Sequence, residues 1–130
     1  MKLVFDTEVI LKFYLGEKKA EVVKEYLTKV SNGEAEGFMN ALNLAEFYYI
    51  LYRKSAKIAE EKLDNLKHFG IRQVDIKGEA LWKEAARIKA GKGMSLPDAF
   101  AVATAKELKA KLLIDDDVEF EGLECDVVKI

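Results

Sequence analysis

Acidic side chains stand at four places in this chain where packing alone gives no reason for them. Asp6 follows the apolar run KLVF at residues 2–5. Glu46 lies inside ALNLAEFYYIL, and on a helix its neighbours at i−4, i+3 and i+4 are Leu42, Tyr49 and Ile50. That puts a carboxylate on or beside an apolar stripe, where an ionised acid needs a cation or a set of hydrogen bonds. Asp98 opens the small apolar run AFAVATA, and Asp115, Asp116 and Asp117 follow LLI. Three consecutive like charges at a strand end repel by about 4 kcal/mol per pair at ~4 Å and an effective dielectric near 20. The run therefore points into water or has positive charge beside it. Each acid also has an ordinary explanation: Glu46 as a half-exposed helix former, Asp98 as the acidic partner of a Ser95 cap. Capping and metal binding are compatible roles. His68 and Cys125 are the only histidine and cysteine, so neither a zinc site nor a histidine general base can be assembled from them.

The elements that must position these acids follow from periodicity. KLVF reads as a short buried strand, and Thr7 to about Tyr14 as a helix packed on it. Glu17–Val30 has Ala20, Val23, Leu27 and Val30 at helical spacing and ends at Ser31, Asn32 and Gly33. Glu36–Asn40 predicts a strand, Ala41–Arg53 and Ser55–Phe69 two helices, and IRQVDI a strand after Gly70. Gly78–Ala90 predicts a helix anchored by Trp82, followed by a flexible GKG at residues 91–93. Leu96–Lys109 is the last helix; LLI at 112–114 and CDVVKI at the end are strands. Strands alternating with helices predict an α/β fold with a mainly parallel sheet of four to five strands and helices on both faces. In such folds ligands sit beyond the carboxyl ends of the strands. If KLVF and LLI are parallel neighbours, Asp6 and the aspartate run meet at one edge.

The chain has 130 residues, half of them hydrophobic, which suits a single domain with one core. A net charge of −2 excludes an overall basic field for nucleic acid, so such contacts need a local patch. Lys12, Arg53 and Lys92 are the foremost candidates, with Lys54, Lys89 and Lys106 beside them. The lone cysteine allows no intrachain disulfide and points to a reducing interior. Asp6, Glu8 and Lys12 interrupt any leader-like apolar run, and no segment reaches transmembrane length. A cytoplasmic location without membrane contact is the expectation. No glycine-rich phosphate loop is present.

VFDTEVIL at residues 4–11, LAEFYYIL at 44–51, LPDAFAVATAKEL at 96–108 and LLIDDDVEF at 112–120 occur in that order across nearly the whole chain. The sequence resembles the PIN-domain family, and within it the small VapC-type toxin ribonucleases. The resemblance implies one PIN-like nuclease domain over residues 1–130. It places Asp6, Glu46 and Asp98 on the family's first three acids. Aligning Phe120 puts Asp117 on the fourth, with Glu119 on the acidic position that follows. Asp115 stands where the family usually has Thr or Ser, Asp116 takes the variable place, Thr7 matches the family's Asp-Thr pair, and Glu8 replaces a residue that is often small and polar. These departures add negative charge, and whether Asp115 or Glu8 touches a metal is left open. Hard oxygen donors suit Mg²⁺ or Mn²⁺. Asp6, Asp98 and Asp117 are assigned as ligands, directly or through water, while Glu46 either joins them or positions the attacking water. The implied activity is cleavage of single-stranded or structured RNA to a 5′-phosphate and a 3′-hydroxyl, by the toxin of a toxin–antitoxin pair. A VapB-type antitoxin and a homodimer are implied partners.

Two rivals come from other residues or other uses of the same ones. DTEV resembles the DxDx nucleophile motif of haloacid-dehalogenase-like phosphatases, with Glu8 in the second acid's place, but no lysine block for phosphate precedes the late acids. A non-catalytic RNA- or partner-binding module on a decayed nuclease fold is the other, and retention of all four acids argues against decay.

Overall fold

A computed structural model describes residues 1–115 and 122–130. Strand β1 (Lys2–Phe5) lies at the centre of a five-stranded sheet of order β3-β2-β1-β4-β5, completed by β2 (Glu36–Asn40), β3 (Arg72–Val74), β4 (Lys111–Ile114) and β5 (Val127–Lys129). Every pairing is parallel. Parallel strands need long crossovers, and here helices supply them: α1 (Thr7–Tyr14), α2 (Ala20–Ser31), α3 (Ala41–Tyr52), α4 (Ala56–Phe69), α5 (Ala80–Lys92) and α6 (Leu96–Leu108). The α/β architecture with helices on both faces is the one the alternating pattern predicts.

The period-2 alternation of the strands sorts the core into two layers. Leu3, Phe5, Met39 and Leu113 point to one face, against Val9, Ile10, Leu27, Phe47, Leu51 and Leu66 of α1–α4. Val4, Leu112 and Ile114 point to the other, against Leu81, Ala85 and Ile88 of α5 and a run of α6 from Ala99 to Ala105. The small residues of α6 let its axis sit close, so Ala99, Ala101, Ala103 and Ala105 are all buried. Gly37 of β2 has no room for a side chain: a Cβ there would stand 2.7 Å from Ile71 Cδ1 and 2.9 Å from Val30 Cγ2.

Local details depart from the periodic reading. Helix α2 begins at Ala20 rather than Glu17, because Gly16 and Lys19 both adopt left-handed backbone and turn the chain first. Helix α5 runs through Gly91 and Lys92 and stops at Gly93, whose φ of 68° caps it, so only the last glycine of GKG breaks the helix. Trp82 does not anchor α5: it is exposed, with Lys83 over its ring, while Leu81, Ala85 and Ile88 face the sheet. His68 is exposed as expected, its Nδ1 against the Asp64 carbonyl. Among the described residues, no helix is long and apolar enough to cross a membrane.

Candidate active site

Parallel β1 and β4 are in register with Phe5 opposite Leu113, so Asp6 and Asp115 leave the sheet at the same edge. Helices run away from β1 on one side through β2 and from β4 on the other, which makes this edge the crevice where open α/β sheets bind ligands.

Asp6 is the N-cap of α1. Its Oδ1 accepts from the Val9 backbone N–H at 2.9 Å, and the side chain is buried. Burial pushes its carboxyl up to about 7; the Val9 hydrogen bond opposes this, and the charges of Asp98, Glu8 and Glu46 raise it further. These acids come from separate parts of the chain. Glu46 stands half-buried on α3, which Asn40 starts by accepting from Leu42 N–H at 2.9 Å. Asp98 lies in the first turn of α6, where Ser95 Oγ accepts from its backbone N–H at 3.2 Å, so Ser95 is the cap that the sequence suggests and Asp98 is an acid in the first turn. Glu46, Asp98, Glu8, Thr7 and Glu17 line one open cleft of about 420 Å³. Glu17 joins them because α2 begins only at Ala20, which leaves Glu17 in the turn before it, where helical periodicity carries no signal.

Under the cleft, buried hydrogen bonds tie the acid-bearing segments together. Thr7 Oγ1 donates to the Asn43 carbonyl at 2.9 Å, and Asn43 Nδ2 donates to the Pro97 carbonyl at 2.9 Å. Asn40 Nδ2 donates to Thr104 Oγ1 at 3.1 Å, and Thr104 Oγ1 donates to the Phe100 carbonyl at 2.7 Å.

Asp115, the first residue of the aspartate run, finds positive charge in two lysines. Asp115 is buried; its Oδ2 meets Lys12 Nζ at 2.8 Å and its Oδ1 meets Lys19 Nζ at 2.7 Å. Lys19 Nζ also donates to the Ile130 carbonyl oxygen at 2.8 Å. Both carboxylate oxygens of Asp115, considered as a metal ligand on sequence grounds, are thus engaged by ammonium groups. Lys12, considered for RNA contact, is held by Asp115, whose hydrogen bond and charge raise the lysine's pKa. Arg53 and Lys92 are exposed at the C-terminal ends of α3 and α5. Lys89 donates to the Met94 carbonyl, and Lys106 pairs with Glu84. Asp116, Asp117 and Glu119 lie outside the described residues.

Among the described residues, no three acidic, histidine or cysteine side chains are arranged to hold one metal ion. The donor chemistry nonetheless fits a hard divalent cation. The cleft's acids are all carboxylates, neither His68 nor Cys125 lines it, and Mg²⁺ is commonly held by one or two carboxylates with water and phosphate completing the shell.

Comparison with known proteins places the fold in a family. The family model described as PIN domain matches residues 3–124. The chain belongs to the PIN domain family. No curated protein sequence matches it significantly. Solved structures share the PIN fold at low sequence identity. VapBC2 from Rickettsia felis, bound to a DNA fragment from its promoter, is similar at TM-score 0.76 and 17% identity, covering 100% of this chain and 99% of that one. A toxin–antitoxin complex from Klebsiella pneumoniae gives TM-score 0.74 and 17% identity over 97% and 95% of the two chains. DNA-bound VapBC from Salmonella typhimurium gives 0.71 and 13% over 99% and 98%.

Proposed function

We propose that this PIN domain is a divalent-metal-dependent endoribonuclease, acting in the cytoplasm as the VapC-type toxin of a toxin–antitoxin pair. The observation that carries the reading is the convergence of Glu46 and Asp98 on the cleft beside Asp6, whose carboxyl their charges help hold up at about 7. Capping explains Asp6 and a first-turn position explains Asp98; neither explains why acids from three separated segments gather against their mutual repulsion. A carboxyl raised as far as that of Asp6, beside a cleft lined by other acids, marks a functional-site candidate.

Asp6 and Asp98 are the residues that would hold Mg²⁺ or Mn²⁺, joined by Asp117 as the family resemblance implies. The bound ion supplies positive charge that lowers the pKa of a water and offsets charge developing on the phosphate oxygens. Glu46, on the same cleft, orients the attacking water and accepts its proton. Asp6 is buried beside the cleft rather than lining it, so its charge acts more strongly than it would at an exposed site. Arg53 and Lys92 are proposed to meet RNA phosphates, offsetting the cleft's own negative charge. Lys12 serves that role only if RNA competes with Asp115. A VapB-type antitoxin is the proposed partner, supported by the toxin–antitoxin complexes whose chains share this fold; a second copy of this chain is proposed on the family resemblance alone.

The test uses a long mixed-sequence single-stranded RNA with wild type and Asp98→Asn, purified in parallel, with Mn²⁺ or Mg²⁺. Metal-dependent cleavage by the wild type, stopped by a chelator and lost in Asp98→Asn, is the expected result. Equal cleavage by both proteins would place the activity elsewhere.

A further inference from the structure

Asn43 is fully buried one turn before Glu46 on α3. It is the point where the supports of all three acids meet. Its backbone carbonyl accepts from the hydroxyl of Thr7, the residue after Asp6. Its side-chain amide donates to the carbonyl of Pro97, the residue before Asp98. Asn43 therefore stands beside each acid-bearing segment at a distance set by a hydrogen bond or by one helical turn. Asn40, the neighbouring buried amide, works differently: it caps α3 and bonds Thr104 of α6, and its side chain makes no hydrogen bond to α1 among the described residues.

A second feature separates Asn43 from an ordinary core residue. Its Oδ1 is buried and has no hydrogen-bond donor among the described residues. Leaving a buried acceptor in that state is unfavourable, and leucine, of nearly the same shape, would remove it. What leucine cannot do is donate to the Pro97 carbonyl. Local sacrifices of this kind concentrate at sites that function requires.

We propose that Asn43 is a positioning residue that fixes the separation of Asp6, Glu46 and Asp98 by bracing α1, α3 and α6 against one another, and thereby sets the cleft's affinity for a divalent cation. The inference rests on reading the cleft as a metal-dependent nuclease centre. Carboxylates that share an ion must be held to a fraction of an ångström, and loss of a supporting hydrogen bond to such ligands weakens metal binding about 10–100-fold. Two variants cut the brace at different bonds. Asn43→Leu keeps the volume and removes the bond to Pro97, and Thr7→Val keeps the shape and removes the bond to the Asn43 carbonyl.

The experiment titrates Mn²⁺ into the full chain by isothermal calorimetry, for wild type, both brace variants, Asp98→Asn, and Leu66→Ala as a core control on α4. Urea unfolding of each variant establishes that it is folded. The expected result is a loss of Mn²⁺ affinity of about tenfold or more in whichever brace variants fold, with the control within twofold of wild type. Affinity within twofold of wild type in a folded brace variant, while Asp98→Asn weakens binding, overturns the bracing role and leaves the metal reading standing. A loss as large in Leu66→Ala also overturns it, since general destabilisation would then suffice. Mn²⁺ binding unchanged in Asp98→Asn as well overturns the metal reading itself.

Discussion

Replacing Asp6 by asparagine should stabilise the metal-free protein at neutral pH. Asparagine caps a helix about as well as aspartate and can keep the bond from Val9 N–H, so local structure survives. What disappears is a charge in a buried, acidic setting. The folded protein holds the Asp6 carboxyl at about 7, against 3.8 for the unperturbed group. The sign follows directly. Between these values the native state keeps a proton that the unfolded chain has released, so this group's contribution to stability is full below about pH 4 and falls as pH rises toward 7. A difference of about three units at ~1.4 kcal/mol each gives at most about 4 kcal/mol. In chelator, wild type and Asp6→Asn should have similar urea midpoints near pH 4. By pH 8 the variant should be ahead by up to about 2 M, taking an unfolding slope of about 2 kcal/mol/M. Saturating Mn²⁺ should then raise the wild-type midpoint and leave that of the variant unmoved, because a ligand stabilises only the state that binds it. A variant that is less stable than wild type at pH 8, or a gap that does not vary with pH, would refute the claim that Asp6 sits ionised at a cost.

Lys19→Met should cost about 2 kcal/mol in urea unfolding, and more when Lys12 is also replaced, because Asp115 is buried between both ammonium groups. Gly37→Ala should cost about 1–3 kcal/mol, since its Cβ would press on Ile71 and Val30; no change in the urea midpoint would mean the two side chains yield freely. Burial and the neighbouring Asp126 raise the Cys125 thiol to about 11 from 9.0, so its alkylation rate near pH 8 should be about a hundredfold below that of an unperturbed cysteine, as measured with iodoacetamide.

The alternation of short apolar strands with amphipathic stretches made the sheet and its helices legible, because parallel strands buried on both faces write continuous apolar runs such as KLVF and LLI. The meeting of Asp6 with Asp115 at one edge was also legible, since it needed only parallel neighbours in register. What sequence could not give was the division of labour within the acidic run. Asp115 pairs with Lys12 and Lys19, which are distant along the chain and carry no local signal of the contact. Trp82 misled because size predicts burial, whereas the phase of α5 turns Leu81 and Ile88 inward instead. Asn43 went unnoticed because its partners, Thr7 and Pro97, are far off in sequence. Its one clue was a polar side chain three residues before Glu46 on an otherwise apolar helix.

The most direct test of the central claim is a crystal of the full chain soaked in Mn²⁺, with diffraction recorded at the manganese absorption edge. The account predicts an anomalous peak in the cleft, within coordinating reach of the Asp6 and Asp98 carboxylates, and its loss in Asp98→Asn. A fully occupied manganese peak elsewhere, with this cleft empty at the same soak, would contradict it.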